Sequence, residues 1–406
     1  MTQKISNPLS LCKFLKFFIL LISSAAVLIF LSLSCSKNPA DLDDENGELS
    51  AEDSAAIADG FIPIYSFHDL CKIGKDHDLP LHGRYILIHD IDVPKNSWRT
   101  FEPIGNGSRV FNGEFDGRGR TIKKVYIRSP DSSAVGLFGF IDGAKIHRLH
   151  IEADSIIGGI HTGGEEINVG GIAGMARNSV IDRCSFKGTV RGRHWVGGIA
   201  GTAFASHITR CISKGTVLSD TDALGSVGGA AGGLIGSLTD SSKTALSYSS
   251  ANVRGGHNTG GLVGHNEKSA ITQSYSTGSV SGGKSYAGGL VGNIYDGTVA
   301  ECYSTGKVSY IPPPGEAGGL VGRVSSRTKI AGSYWDTSSS QMAASAGTAV
   351  KDTTIIDIDG EPKDTTVIIG EQGRNSSLMT QKKTYVGWDF DKVWNIDEGN
   401  STPYFR

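Results

Sequence analysis

Catalytic signatures are scarce in this sequence, and the scarcity excludes several classes at once. None of the 11 histidines is followed by glutamate, which removes the zinc-peptidase pattern H-E-x-x-H. No G-x-S-x-G occurs, so the nucleophile elbow of serine hydrolases is absent. Basic clusters are lacking too. The 39 Lys and Arg face 41 Asp and Glu, and without the three lysines of the N-terminal segment the chain carries a charge of about −5. A weakly acidic chain of this kind argues against nucleic acid or anionic lipid as the main partner. Cysteine is sparse, and outside Cys12 and Cys35 only Cys71, Cys184, Cys211 and Cys302 remain.

Glycine is what the chain has in plenty: 55 in 406 residues, about twice the usual ~7%. Much of it recurs in one pentapeptide: Gly170-Gly-Ile-Ala-Gly174, Gly197-Gly-Ile-Ala-Gly201, Gly232-Gly-Leu-Ile-Gly236, Gly260-Gly-Leu-Val-Gly264, Gly288-Gly-Leu-Val-Gly292 and Gly318-Gly-Leu-Val-Gly322. Val135-Gly-Leu-Phe-Gly139 is a degenerate first copy. Counted from the apolar third residue, the steps are 35, 27, 35, 28, 28 and 30. A near-constant period of this size marks a solenoid, whose units bury their apolar faces only against one another. The longer steps read as surface insertions near 157–168 and 218–226. Glycine is expected at sharp turns needing positive φ.

A second motif follows each pentapeptide. Ile181-Asp-Arg-Cys-Ser-Phe-Lys-Gly-Thr-Val190, Ile208-Thr-Arg-Cys-Ile-Ser-Lys-Gly-Thr-Val217, Ile271-Thr-Gln-Ser-Tyr-Ser-Thr-Gly-Ser-Val280 and Val299-Ala-Glu-Cys-Tyr-Ser-Thr-Gly-Lys-Val308 share one template. These runs are rich in β-branched and aromatic residues between glycines and read as short strands. No copy keeps the 3.6-residue apolar period over the roughly 10–12 residues a helix needs. With one rung per repeat, parallel strands would stack into a rod roughly 50 Å long.

Two columns of this template bear on function. Cys184, Cys211 and Cys302 share a position with Ser247, Ser274 and Ser333, so a small side chain packed inward is expected there, without a disulfide. The next position holds Tyr248, Tyr275, Tyr303 and Tyr334 in four successive repeats. Strand alternation places it on the opposite face from its neighbours. The four rings form either an exposed ligand-binding ladder or a core row whose hydroxyls reach turn carbonyls.

The N-terminus addresses the chain. Lys4, Lys13 and Lys16 precede an apolar run, 17–33, that ends Leu31-Ser-Leu-Ser-Cys35. A basic region, an apolar region and small residues before a cysteine are expected to act as a lipoprotein signal with lipidation at Cys35. The alternative is an uncleaved anchor, because about 18 apolar residues nearly span a bilayer. The acidic stretch after Cys35 suits a disordered tether.

The repeat resembles the GLUG motif of bacterial surface proteins and of the β-helical part of some IgA-cleaving metallopeptidases. Tyr85-Ile-Leu-Ile-His-Asp-Ile-Asp92, Phe101-Glu-Pro-Ile-Gly105 and Phe111-Asn-Gly-Glu-Phe-Asp-Gly117 are similar to the lead-in of such chains. Gly387-Trp-Asp-Phe390, Val393-Trp394 and Pro403-Tyr-Phe405 are similar to their ending. The resemblance implies a right-handed parallel β-helix on the cell surface, often called adhesin-like, and no reaction.

Other motifs weigh less. Gly278-Ser-Val-Ser-Gly-Gly-Lys-Ser285 matches the phosphate-loop pattern, but another rung follows it where a helix is required. Asp357-Ile-Asp-Gly-Glu361 lacks the later ligands of a calcium loop and is expected at the turn of a projecting hairpin. A sugar-cleaving site needs converging carboxylates, yet Asp182 has Thr209, Thr272 and Ala300 as repeat counterparts. Asp90, Asp92 and Asp116 sit in the lead-in and look structural.

The expected layout is an all-β, right-handed parallel β-helix: signal 1–34, disordered tether 35–60, helical cap and first rungs 61–130, repeats 131–338, and hairpin plus aromatic-rich cap 339–406. Tyr65 to Ile73 reads as a short helix with Ser66 as N-cap. Trp388, Phe390, Trp394 and Tyr404 are expected to close the far end. The expected function is a non-enzymatic, exported, lipid-anchored monomer at the outer membrane or cell surface, binding a polysaccharide or protein, without cofactor, metal or nucleic acid. A carbohydrate-active enzyme and a purely structural envelope component stay open beside it.

Overall fold

The computed structural model describes residues 49–95, 101–159, 166–220, 229–283, 285–311, 316–325, 327–348, 367–369 and 372–406. Cys35, the apolar run and the 351–366 hairpin lie outside the described residues.

One repeat makes one turn of a parallel β-helix. The turn from 195 to 219 shows the pattern, with strands Trp195–Gly197, Ala200–Phe204, His207–Thr209 and Ile212–Ser219. Each lies in a different sheet, here called the glycine, alanine, isoleucine and tyrosine faces. Among the described residues the isoleucine face has eleven strands, from Ile62–Ile64 to Val367–Ile369. At ~4.8 Å per strand that stack is about 48 Å long. Pairing is parallel and in repeat register, as in Ile181↔Ile208 and Val190↔Val217. Both long steps leave the register intact, since Val135 pairs Val169 and Val196 pairs Ala231.

Apolar residues of the pentapeptide fill the core. Ile172, Ile199, Leu234, Leu262, Leu290 and Leu320 are fully buried. Its glycines act by close approach, not by positive φ as the sequence suggested. A Cβ on Gly197 would stand 2.1 Å from the carbonyl oxygen of Ala200, and one on Gly198 would stand 1.8 Å from Ser213 Oγ. The chain bends so tightly there that only hydrogen fits.

The left-handed corners belong mostly to other residues. Arg148, Arg183 and Arg210 (φ 52°), Leu246 (52°), Gln273 (47°) and Glu301 (54°) occupy one corner in successive turns. Such a conformation costs an L-residue about 1–2 kcal/mol. The Cys/Ser position that follows supports it. Ser247 Oγ donates to the Ala245 carbonyl (2.8 Å) and Ser274 Oγ to that of Thr272 (2.7 Å), while Cys211 Sγ donates to Thr209 (3.2 Å). The serine oxygens also accept from the preceding turn, as Cys211 N to Ser247 Oγ (3.0 Å) and Ser247 N to Ser274 Oγ (3.2 Å). The column therefore hydrogen-bonds a corner in addition to packing, and a thiol or hydroxyl serves because both donate. Ser206, Ser242 and Ser269 run a second column of the same kind.

Two helices flank the first rungs. Helix α1, Ala51–Ala58, capped by Ser50, lies where the sequence suggested disordered tether. Asp53, 1% exposed, holds it to the stack through Arg118 (3.1 Å) and Arg120 (2.8 Å). That partner set is invisible in residues 35–60 alone. Helix α2, Phe67–Lys72, carries a capping box in which Ser66 Oγ accepts from Asp69 N and Asp69 accepts from Ser66 N. Among the described residues no helix is long and apolar enough to cross a membrane.

Candidate functional site

The tyrosine face carries the column singled out by sequence. Tyr248, Tyr275 and Tyr303 pair in register and point outward, while Ser249, Ser276 and Ser304 point into the core. Their rings stack at 4.7 and 4.8 Å with interplanar angles of 1° and 5°. Tyr334 continues the column but meets Tyr385 edge-on at 5.1 Å.

The ladder is not an open surface. Residues 376–406 return along its outside as a roof. Tyr303 is 1% exposed, Tyr334 3% and Tyr275 8%; only Tyr248 is half-buried, at the margin beside Phe405. Trp394 stacks on Trp388 at 4.4 Å and lies 4.8 Å from Phe405, over Tyr275 and Tyr303. Polar tips pin the roof: Tyr303 Oη donates to the Pro403 carbonyl (2.5 Å), Val386 N donates to Tyr334 Oη (3.3 Å), and Trp388 Nε1 donates to the Gly332 carbonyl (3.0 Å). Burial pushes the hydroxyls of Tyr275, Tyr303 and Tyr385 above their ordinary pKa.

This corrects two expectations. The four tyrosines come together and face outward, yet they bind the chain's own C-terminal segment. Trp388, Phe390 and Trp394 cover a side of the stack, not its end, while Tyr404 is 40% exposed. Strand parity shows only that a ring faces opposite to its neighbours, and it cannot show what later returns over it.

The remaining candidates have structural partners. Asp90 accepts from Thr121 N (2.8 Å) and Lys123 Nζ (2.6 Å), and Asp92 meets Lys124 Nζ. Asp116 accepts from Arg118 N (2.9 Å) and Arg148 Nε (3.0 Å). Asp182 accepts from Thr209 Oγ1 (2.6 Å) and Arg210 Nε (2.8 Å). Cys184, Cys211 and Cys302 are free and buried, and burial pushes the Cys302 thiol up to about 12. The phosphate-like run leads from strand Val280–Gly282 into strand Tyr286–Gly288, with no helix after it. Among the described residues no group of three or more His, Cys, Asp and Glu side chains could hold a metal.

Two features escaped sequence reasoning. An open polar cleft of about 560 Å³ lies between 102–107 and 128–134, lined by Glu102, Asn106, Arg128 and Asp131. Cations dispersed along the sequence also gather where the isoleucine and tyrosine faces meet.

Comparison with known proteins gives the following. The chain carries GLUG motifs: the family described as "The GLUG motif" matches residues 255–281 and 283–309. Halomucin of Haloquadratum walsbyi is 32% identical over 124 residues, 28% of this chain, which spans about 1% of that protein's length. Among solved structures, a candidate immunoglobulin A1 protease from Bacteroides ovatus aligns over 79% of this chain and 85% of its own, at 18% identity and a TM-score of 0.47. An IgA1 protease aligns over 76% of this chain but 21% of its own length, at 16% identity and a TM-score of 0.40.

Proposed function

We propose that this protein is a non-enzymatic cell-envelope lipoprotein, anchored through Cys35, whose β-helix is an adhesin-like scaffold. The observation that carries this reading is the commitment of its carboxylates. Asp90, Asp92, Asp116 and Asp182, which a sugar-cleaving reading would recruit, are each engaged by a cation of the framework. A glycosidase acid or base needs a carboxyl free to exchange its proton. The GLUG motifs and the halomucin likeness support a place at the cell surface. The covered tyrosine ladder moves the search for a ligand surface to the other outward columns.

The test combines lipid labelling with release assays. Wild type should incorporate radiolabelled palmitate and Cys35→Ser should not, and external protease should degrade the protein on intact cells. Incubated with a polysaccharide panel, the purified chain should release no fragments. Fragments released in proportion to protein would overturn the non-enzymatic assignment, and palmitate on Cys35→Ser would overturn the anchor.

A further inference from the structure

The winding of the chain builds a basic cluster that the linear sequence does not contain. Four successive turns bring Lys145, Arg183, Lys187, Arg210, Lys214 and Lys243 to the corner between the isoleucine and tyrosine faces. Register neighbours such as Val180 and Lys145, or His207 and Lys243, are 35 or 36 residues apart in sequence, yet lie one strand spacing, ~4.8 Å, apart in the stack. Across 145–152, 180–187, 207–214 and 243–250, seven Lys and Arg face two carboxylates, Glu152 and Asp182. The equivalent stretches 270–277 and 298–305 hold no Lys or Arg, so the patch ends after four turns. A chain of net charge −2 thus carries a local strip of opposite sign.

The strip is ordered and open. Asp182 accepts from Arg210 Nε (2.8 Å) and from Arg183 Nη1 (3.1 Å), so one carboxylate fixes two guanidinium groups on neighbouring turns. Their side chains remain 45% and 58% exposed, which leaves N–H donors facing solvent. Arg148 continues the column below, held by Asp116. Lys145, Lys214 and Lys243 are exposed and make no ion pair among the described residues. Guanidinium forks preset in this way bind carboxylate or sulfate groups in two-point fashion at little entropic cost.

We infer that this corner binds a linear acidic polysaccharide, a polyuronate or sulfated glycan, lying along the stack axis. Cations recurring on each of four successive turns match a chain that carries its charges at regular intervals. Glu152, with its side chain 50% exposed, stands among the cations as an acceptor suited to sugar hydroxyls. Phe, Tyr and Trp rings, which single-stranded nucleic acids use for base stacking, are absent from the outward positions of the strip before Tyr248. The inference rests on the proposed surface location, but its test uses purified protein, so a misplaced cell location and a failed interaction are told apart.

The experiment measures binding of the full chain, in mild detergent, to alginate, heparin, neutral dextran and a short DNA duplex over a range of salt. Alginate or heparin should bind, dextran should not, and affinity should fall as salt rises. Combining Lys187→Glu, Lys214→Glu and Lys243→Glu should weaken glycan binding roughly tenfold or more with an unchanged melting temperature. Lys392→Glu, on the exposed side of the roof, should change nothing. Unchanged affinity in the triple variant, equal retention on dextran, or DNA bound as tightly as either glycan would each overturn the assignment.

Discussion

Truncating Trp394 tests the roof over the tyrosine ladder most directly. Trp394 is 0% exposed and touches four rings: Trp388 at 4.4 Å, Phe405 at 4.8 Å, Tyr275 at 6.2 Å and Tyr303 at 6.3 Å. Its Nε1 has no hydrogen-bond partner among the described residues, so Trp394→Ala loses packing and no hydrogen bond. Large-to-small changes of this kind cost about 3–5 kcal/mol. In a stack of neighbour-coupled turns, that loss should fall on the roof and not on distant rungs. Hydrogen exchange by mass spectrometry separates the two. Amides in 376–406 should exchange about a hundred to several thousand times faster, at ~1.4 kcal/mol per decade, while those of 195–264 keep their protection. Equal acceleration in both regions would mean that the roof and rungs form one cooperative unit. An unchanged roof would refute the packing account.

Three further outcomes are expected. Gly197→Ala drives a Cβ to 2.1 Å from a backbone oxygen and should destabilise by about 1–3 kcal/mol or more, whereas Gly107→Ala, with open space around it, should melt like wild type. Cys184, Cys211 and Cys302 should resist iodoacetamide at pH 8 until denaturant is added, because burial keeps the reagent from reaching their sulfurs; peptide mapping of the alkylated sites checks this. Burial raises the Asp53 pKa, but the Arg120 and Ser50 hydrogen bonds and the Arg118 charge outweigh it, so the net shift is downward. Its stabilisation is therefore complete above the ordinary carboxyl range and lost as pH falls through the lowered value. Helix α1 should lose exchange protection at acid pH in wild type, and in Asp53→Asn already at neutral pH.

The sequence by itself determined everything that repeats. A period of 27–28 residues, a pentapeptide with a buried third residue and strand alternation specify parallel turns, their register and a column of tyrosines on one face, whether inward or outward. These follow from contacts between neighbouring copies of one template, so a single template suffices to read them. Tertiary structure alone decided what meets across long separations. Whether the first glycine serves φ or proximity depended on the tightness of the bend beside Ala200. Asp53 became a buried anchor because Arg118 and Arg120, more than sixty residues away, fold beneath it. The tyrosines became a floor because Trp388 and Trp394 return over them, and scattered lysines and arginines became a strip because each turn sets them above the last. No local period encodes those meetings, because each depends on where the chain has travelled in between.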